Sequence, residues 1–183
     1  MGTEAQDQLI ERCKAGDPEA FAELYRVEAP RALHTARFIT GSWADAEGCL
    51  QEAAVRAWRA MDRFTTGRPF RPWFLKFVVN EALKVCRRRP WSPLPASEAM
   101  PAATGEGPEA RAEAREQHHL VLDALGTLDR NHRAPVVLFY FEGLPEVEVA
   151  EVLGIRPSTV KSRLHTARRR LAGELEQRGI RSS

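Results

Sequence analysis

Residues 156–170 gather the groups best suited to chemistry in this chain. Arg156, Lys161, Arg163, Arg168, Arg169 and Arg170 supply six bases with no acid among them. Between them stand the hydroxyls of Ser158, Thr159, Ser162 and Thr166 and the imidazole of His165. No nucleophile is paired with a base here, so the chemistry on offer is non-covalent. Cations neutralise phosphates, while hydroxyls, an imidazole and a guanidinium can bond base edges. A nucleic-acid groove calls for both.

The elements that must carry these groups can be read from spacing. Val160, Leu164, Ala167 and Leu171 recur at intervals of 4, 3 and 4, the inward face of a helix starting near Pro157. At about 100° per residue, Ser158, Ser162, His165, Thr166 and Arg169 then face outward. Lys161, Arg163, Arg168 and Arg170 flank them, and Ser158 or Thr159 can cap. A shorter acidic helix precedes it, with Glu142, Glu146, Glu148 and Glu151 in and before it. Pro145 opens that helix, where a missing N–H costs nothing. Val149, Val152 and Leu153 make its apolar stripe, and Gly154 suits a left-handed stop. The pair reads as a helix-turn-helix, a support helix followed by one that enters a groove.

A second basic segment lies upstream. Residues 56–89 hold ten bases against Asp62 and Glu81. Within a helix expected over Trp73–Arg89, Lys76, Asn80, Lys84 and Arg87 follow at spacings of 4, 4 and 3 and form one stripe, with Trp73 beside it and Arg88 following. An aromatic, an amide and cations on one face suit single-stranded or distorted nucleic acid, whose bases stack and whose phosphates need neutralising. Phe64-Thr-Thr-Gly-Arg-Pro-Phe70 reads as a turn; a loop of this composition could also hold an unstacked base. The helix expected over Ala44–Asp62 buries Ala46, Leu50, Ala53, Ala54, Ala57 and Met61. Its other face shows Glu47, Gln51, Val55, Trp58 and Asp62, with Glu52 at the edge. Trp58 has two readings: it packs against the first helices, or it anchors a protein-docking face.

The chain has 183 residues and 43% hydrophobic content, enough for one or two small cores. Net charge is only +2, so charge is sorted by region rather than spread. No stretch is apolar enough to span a membrane. The polar N-terminus lacks the order of a signal peptide. Cys13, Cys49 and Cys86 are odd in number and far apart, which predicts no disulfide framework, a reducing cytoplasm, and a role for each as a small buried hydrophobe. No phosphate loop, HExxH or GxSxG occurs. His118 and His119 are adjacent and diverge on a helix, while His34, His132 and His165 stand alone. These points argue against an enzyme, a metal site and a cofactor.

Helical patterning covers most of residues 4–89. Asp17-Pro18 reads as a cap followed by Pro at the first helical position, and Ser42 with Asp45 as a capping box. Val136-Val-Leu-Phe-Tyr-Phe141 has strand-like composition but helical neighbours, so a buried helix is expected. Residues 90–108 hold five prolines and two glycines, which is linker composition. The expected fold is all-α: two small helical domains, 1–89 and 109–183, joined by a flexible Pro/Ala-rich segment, the second domain containing the helix-turn-helix.

The ordered set of segments resembles the group 4, extracytoplasmic-function (ECF) sigma factors of bacterial RNA polymerase. Ala15-Gly-Asp-Pro-Glu-Ala-Phe21 with Leu24-Tyr25 is similar to the family's opening helices. Asp45-Ala-Glu-Gly-Cys-Leu-Gln-Glu52, Arg56-Ala-Trp58 and Asp62-Arg-Phe64 resemble the polymerase-clamp segment of region 2. Phe70-Arg-Pro-Trp-Phe74 with Asn80 and Arg87-Arg-Arg89 resembles the segment that reads and melts the −10 element. Phe141-Glu-Gly-Leu144, Glu148-Val-Ala150 and Thr159-Val-Lys-Ser-Arg-Leu164 resemble region 4, which binds −35. The resemblance implies that Asp45, Glu47, Gln51, Glu52 and Trp58 dock on core RNA polymerase at the clamp of its largest subunit, with the flap as a further contact. It implies −10 contacts from Arg63, Phe64, Trp73, Lys76, Asn80, Lys84, Arg87 and Arg88. It implies −35 contacts from Ser158, Thr159, Lys161, Ser162, Arg163, His165, Thr166, Arg168 and Arg169. It further implies promoter DNA and an anti-sigma factor as partners and no catalytic residue. The family usually has an acid where Gly48 stands, and other residue types at His165 and Thr166. A stand-alone dimeric helix-turn-helix regulator is the alternative, and it would bind a palindrome without polymerase.

Overall fold

The computed structural model describes residues 3–88 and 122–177. The linker expected at 90–108, the restart near Glu109, Arg89 and the His118–His119 pair lie outside them.

The described residues are helical, with no strand among them. Four helices make the first group: α1 (Thr3–Lys14), α2 (Pro18–Thr40), α3 (Trp43–Arg59) and α4 (Phe70–Arg88), with a 3-10 turn at Met61–Arg63. Asp17 caps α2 through bonds from the N–H groups of Glu19 and Ala20. Gly41 ends it at φ +84°, a left-handed conformation that suits glycine. Ser42 caps α3 by accepting from Asp45 N at 3.2 Å. Ser42 N also donates to the Thr40 hydroxyl, at 3.3 Å. The helix expected over Ala44–Asp62 stops at Arg59 and tightens into the 3-10 turn. The helix expected from Trp73 begins three residues earlier, at Phe70, with Pro72 tolerated in its first turn.

The second group begins with a helical stretch over residues 122–126, then α5 (Arg130–Val136), a π-helical turn (Val137–Phe141), α6 (Glu146–Leu153) and α7 (Pro157–Gln177). Val136–Phe141 is helical, as its neighbours suggested, but the turn is wide: Glu142 N reaches back five residues to Val137 O. Pro145 is the residue before α6 rather than its first. Gly154, at φ +64°, closes α6, and Ile155 N bonds back to Ala150 O, a Schellman-type end. Pro157 is the first residue of α7, so Ser158 and Thr159 lie inside its first turn instead of capping it.

The two groups share one apolar core. Ile10, Leu24, Ile39, Phe74 and Val78 from the first are continuous with Leu128, Leu138, Val149 and Leu164 from the second. The sequence left open whether the two halves fold against each other; here α6 packs on α4 and the π turn on α2.

Candidate nucleic-acid interface

The spacing rule for α7 holds. Val160, Leu164 and Ala167 are buried, with Leu171 half-buried behind them. Ser158, Lys161, Ser162, His165, Arg168 and Arg169 are exposed; Thr159, Arg163 and Thr166 are half-buried along the edges. α7 thus presents an outward face of cations and small polar groups over more than two turns. Arg168 is already oriented. Its Nε donates to the Tyr140 hydroxyl at 2.7 Å, and its guanidinium lies 5.9 Å from the ring centroids of Phe139 and Tyr140. Tyr140, on the π turn, is 53% exposed and was not singled out by the sequence. Arg170 pairs with Asp129 at 3.0 Å, tying α7 to the cap of α5. Burial works against ionising Asp129, but bonds from His132 and Arg170 outweigh it and bring its carboxyl down to about 2.

The upstream stripe is also on one face. Lys76, Asn80, Arg87 and Arg88 are exposed and Lys84 is half-buried. Arg63, Asn80, Lys84 and Arg87 line a single groove beside Phe77, and Leu153 of α6 forms part of its wall. Within it Glu81 holds two cations, Arg56 Nε at 2.9 Å and Lys84 Nζ at 2.7 Å. Lys84 therefore meets a carboxylate on its own helix. Trp73 is half-buried, wedged against Phe64, Phe70 and Phe77 at centroid distances of 5.0, 5.6 and 4.8 Å. Phe64, expected among the −10 contacts, is only 3% exposed and packs against Trp73 and Phe70 instead of facing out.

The loop before α4 is held by α1, which the sequence reading missed. Gln6 both donates to Arg68 O and accepts from Phe70 N, at 3.1 and 3.2 Å. Asp7 accepts from Gly67 N at 3.1 Å, and Lys14 donates to the Thr66 hydroxyl at 2.5 Å. Gly67 sits at φ +85°. These partners are more than 50 positions apart, and polar residues on a short acidic helix carry no local sign of such a role.

On α3, Glu47, Gln51, Glu52 and Val55 are exposed and Asp45 half-buried. Trp58 packs against Phe21 of α2 at 5.4 Å with one side open, so the packing reading of this residue describes its position. Gly48 lies exposed in the middle of α3 with nothing within 4 Å of where a Cβ would stand.

The two groups meet at polar clusters. Glu142, its side chain 2% exposed, pairs with Arg31 at 3.1 Å and with Arg71, and accepts from the Thr35 hydroxyl. Arg31 also donates to Phe141 O at 2.8 Å, and Arg71 to Glu142 O at 3.1 Å. Phe141 lies on Phe38, with ring centroids 4.5 Å apart. Glu28 faces the same cluster, and burial raises its carboxyl above the usual range. At the far end of α2, Ile39 O accepts from Arg133 Nη1 at 2.9 Å and from the Cys86 thiol at 3.2 Å. Carbonyls in the last turn of a helix lack intrahelical donors, which is why Ile39 O is available. Burial pulls the Arg133 guanidinium down to about 10. Burial also pushes the Cys49 thiol up to about 12 and Cys13 to about 11.

Among the described residues, no helix is long and apolar enough to cross a membrane, and no cluster of His, Cys, Asp and Glu could hold a metal. Two cationic faces on an all-helical scaffold, one on a helix-turn-helix, define a DNA-binding transcription factor. Family comparison narrows the class. Residues 24–92 match Sigma-70 region 2, and residues 118–171 match Sigma-70, region 4. The chain is 30% identical over 186 residues to the RNA polymerase sigma factor CnrH of Cupriavidus metallidurans, covering 96% of this chain and 97% of that one. It is 30% identical over 167 residues to the ECF RNA polymerase sigma factor SigL of Mycobacterium tuberculosis, covering 91% and 94%. The solved structure of CnrH in complex with the cytosolic domain of CnrY superposes with a TM-score of 0.72 at 26% identity, covering 94% and 98%. The chain belongs to the ECF sigma factors of the sigma-70 family, and is a transcription initiation factor.

Proposed function

We propose that this chain binds core RNA polymerase and directs it to promoters by holding −35 DNA with α7 and opening −10 DNA with α4 and the loop before it. The observation that carries the reading is the outward face of α7, acid-free through Arg170 and fixed by the buried side chains of Val160, Leu164 and Ala167 behind it. In this reading, residues 1–89 act as region 2, 90–108 as the linker and 109–183 as region 4. Ser158, Thr159, Lys161, Ser162, Arg163, His165, Thr166, Arg168 and Arg169 contact −35, with cations on phosphates and small polar groups on base edges. Arg63, Trp73, Lys76, Asn80, Lys84, Arg87 and Arg88 contact −10. Asp45, Glu47, Gln51, Glu52 and the open side of Trp58 dock on the polymerase clamp. Its work is base-pair opening, stabilised by phosphate neutralisation. The chain has no catalytic residue of its own and acts in the cytoplasm. An anti-sigma factor is its expected antagonist, in keeping with the CnrH–CnrY complex.

Run-off transcription with core polymerase on a genomic promoter library tests the proposal. The expected result is initiation at a small set of promoters that core alone does not use. Tight, palindrome-specific binding by the purified chain without polymerase would instead establish the dimeric regulator.

A further inference from the structure

We propose that Glu81 is a positioning residue for −10 DNA: its carboxylate holds Arg56 of α3 and Lys84 of α4 together, keeps Arg56 off the strand and fixes the Lys84 ammonium near Asn80. The inference rests on the reading of α4 as the −10 face and names a residue that sets how that face reads.

Three observations carry it. Glu81 is the single acid in Phe70–Arg88, among five bases. Its side chain is only 12% exposed, so it is not a solvated charge. Both cations meet the same oxygen, Oε1, with Arg56 Nε at 2.9 Å and Lys84 Nζ at 2.7 Å. The triad is also where two grooves meet. Glu52, Arg56, Glu81 and Lys84 line both. Asp45 and Gly48 lie in one, toward the docking face of α3, and Arg63, Asn80 and Arg87 lie in the other.

The chemistry follows from the shared carboxylate. A lysine ammonium is a point charge on a flexible four-carbon stem and takes whichever phosphate comes near. A charge-assisted bond to a largely buried acceptor restrains it. Two cations on one anion leave a net charge of +1 instead of +2. The carboxylate thus subtracts phosphate attraction, which carries no sequence information. It leaves the exposed amide of Asn80, one residue earlier, a larger share of the recognition. Specificity is a difference of affinities and rises when the wrong strand is penalised. A bond that only tied α3 to α4 would change melting temperature and leave discrimination alone.

The test uses holoenzyme, the full chain with core polymerase, in wild-type, E81Q, R56M and E81Q/R56M forms. The probes are the single-stranded non-template −10 segment of a promoter found by run-off transcription and a scrambled strand of the same composition, titrated by anisotropy over a salt series. E81Q is expected to cut the ratio of the two affinities roughly threefold and to steepen the salt slope by about 1, as Arg56 reaches the strand. R56M alone should leave the slope unchanged, and E81Q/R56M should return it to the wild-type value. On the free chain, E81Q should speed acetylation of Lys84 roughly threefold, with Lys76 on the same helix as the unchanged control. A steeper slope that persists in E81Q/R56M would mean that the carboxylate repels the strand directly, and would overturn the proposal. So would an E81Q variant that melts lower but discriminates as before. Far-UV circular dichroism checks folding. R56M does not depend on the fold of E81Q: a slope lowered by about 1 in R56M alone would show Arg56 already on the strand and would also overturn the proposal. Wild-type holoenzyme that binds both strands alike would remove the −10 reading itself. The Lys84 labelling contrast then still decides whether Glu81 holds Lys84, so the two failures are told apart.

Discussion

The Nε of Arg168 donates to the Tyr140 hydroxyl at 2.7 Å, joining the reading helix α7 to the π turn that precedes α6. That bond engages Nε of the guanidinium, which also lies 5.9 Å from the Phe139 and Tyr140 ring centroids. Tyr140→Phe is expected to weaken binding of a −35 duplex by region 4 in the polymerase holoenzyme roughly threefold, through lost orientation. The slope of affinity against salt should not change, because no cation is lost. Arg168→Ala should reduce that slope by about 1. Anisotropy titrations over a salt series separate the two, and an equal change of slope in both would refute the positioning role.

Arg133 is 2% exposed and uses all three guanidinium nitrogens on main-chain carbonyls: Leu125, Leu128 and Ile39. Arg133→Met should cost roughly 3 kcal/mol or more, since it strands buried acceptors at three places. Arg133→Lys should not restore the loss, because an ammonium cannot reach three carbonyls in a planar fork. Urea unfolding measures both, and a loss under 1 kcal/mol for the Met variant would contradict the account.

Gly48 occupies an exposed position inside α3, with space around an added Cβ. Gly48→Ala should raise stability by about 1 kcal/mol, through helix propensity alone. Thermal unfolding reads this directly, and no gain would mean that a contact not seen here favours glycine.

The loop before α4 depends on Gln6, which bonds both Arg68 O and Phe70 N. Gln6→Ala should cost about 1 kcal/mol in stability. It should also slow promoter opening, followed with a fluorescent base analogue at −10, while −35 duplex affinity holds. Gly67→Ala should act similarly, since φ +85° strains any residue with a Cβ by about 1 kcal/mol although the space is open. Unchanged opening kinetics in both would show that the loop does not serve melting.

Asp129 is opposed by burial but stabilised as an anion by His132 and Arg170, which set its carboxyl at about 2 rather than the ordinary 3.8. A carboxyl lowered on folding adds stability that is complete above its unfolded value and disappears as pH falls through the folded one. Melting temperature should therefore fall as pH drops from 4 toward 2, and fall less in Asp129→Asn. The side chain is about half exposed, so the difference should stay under about 1 kcal/mol. Parallel curves for the two proteins would remove Asp129 from the acid response.

The elements and their faces were legible because they repeat. Val160, Leu164 and Ala167 mark their own burial by spacing, and the same spacing puts Ser162 and His165 outside. The exposure of the two basic faces was legible for the same reason. What periodicity cannot carry is a contact between single residues far apart. Arg31 and Glu142 sit in unrelated segments, and nothing local distinguishes either from a solvated charge. The burial of Phe64 was not legible either: an aromatic beside Thr, Gly and Arg carries no local sign that Phe70 and Trp73 pack against it. The π turn was read as helix without its extra width, since Val137–Phe141 has no residue whose type demands a five-residue bond.

The long sequence distance across the seam also has a consequence in time. Synthesis runs from the N-terminus at about 5 to 20 residues per second. Arg31 therefore leaves the ribosome roughly 5 to 20 s before Glu142, which lies 111 positions later. During that interval α2 and α4 can fold with their shared face uncovered, and the nascent chain displays its basic groove before the segment that covers it exists. The contacts between the two groups are therefore the last the growing chain can make.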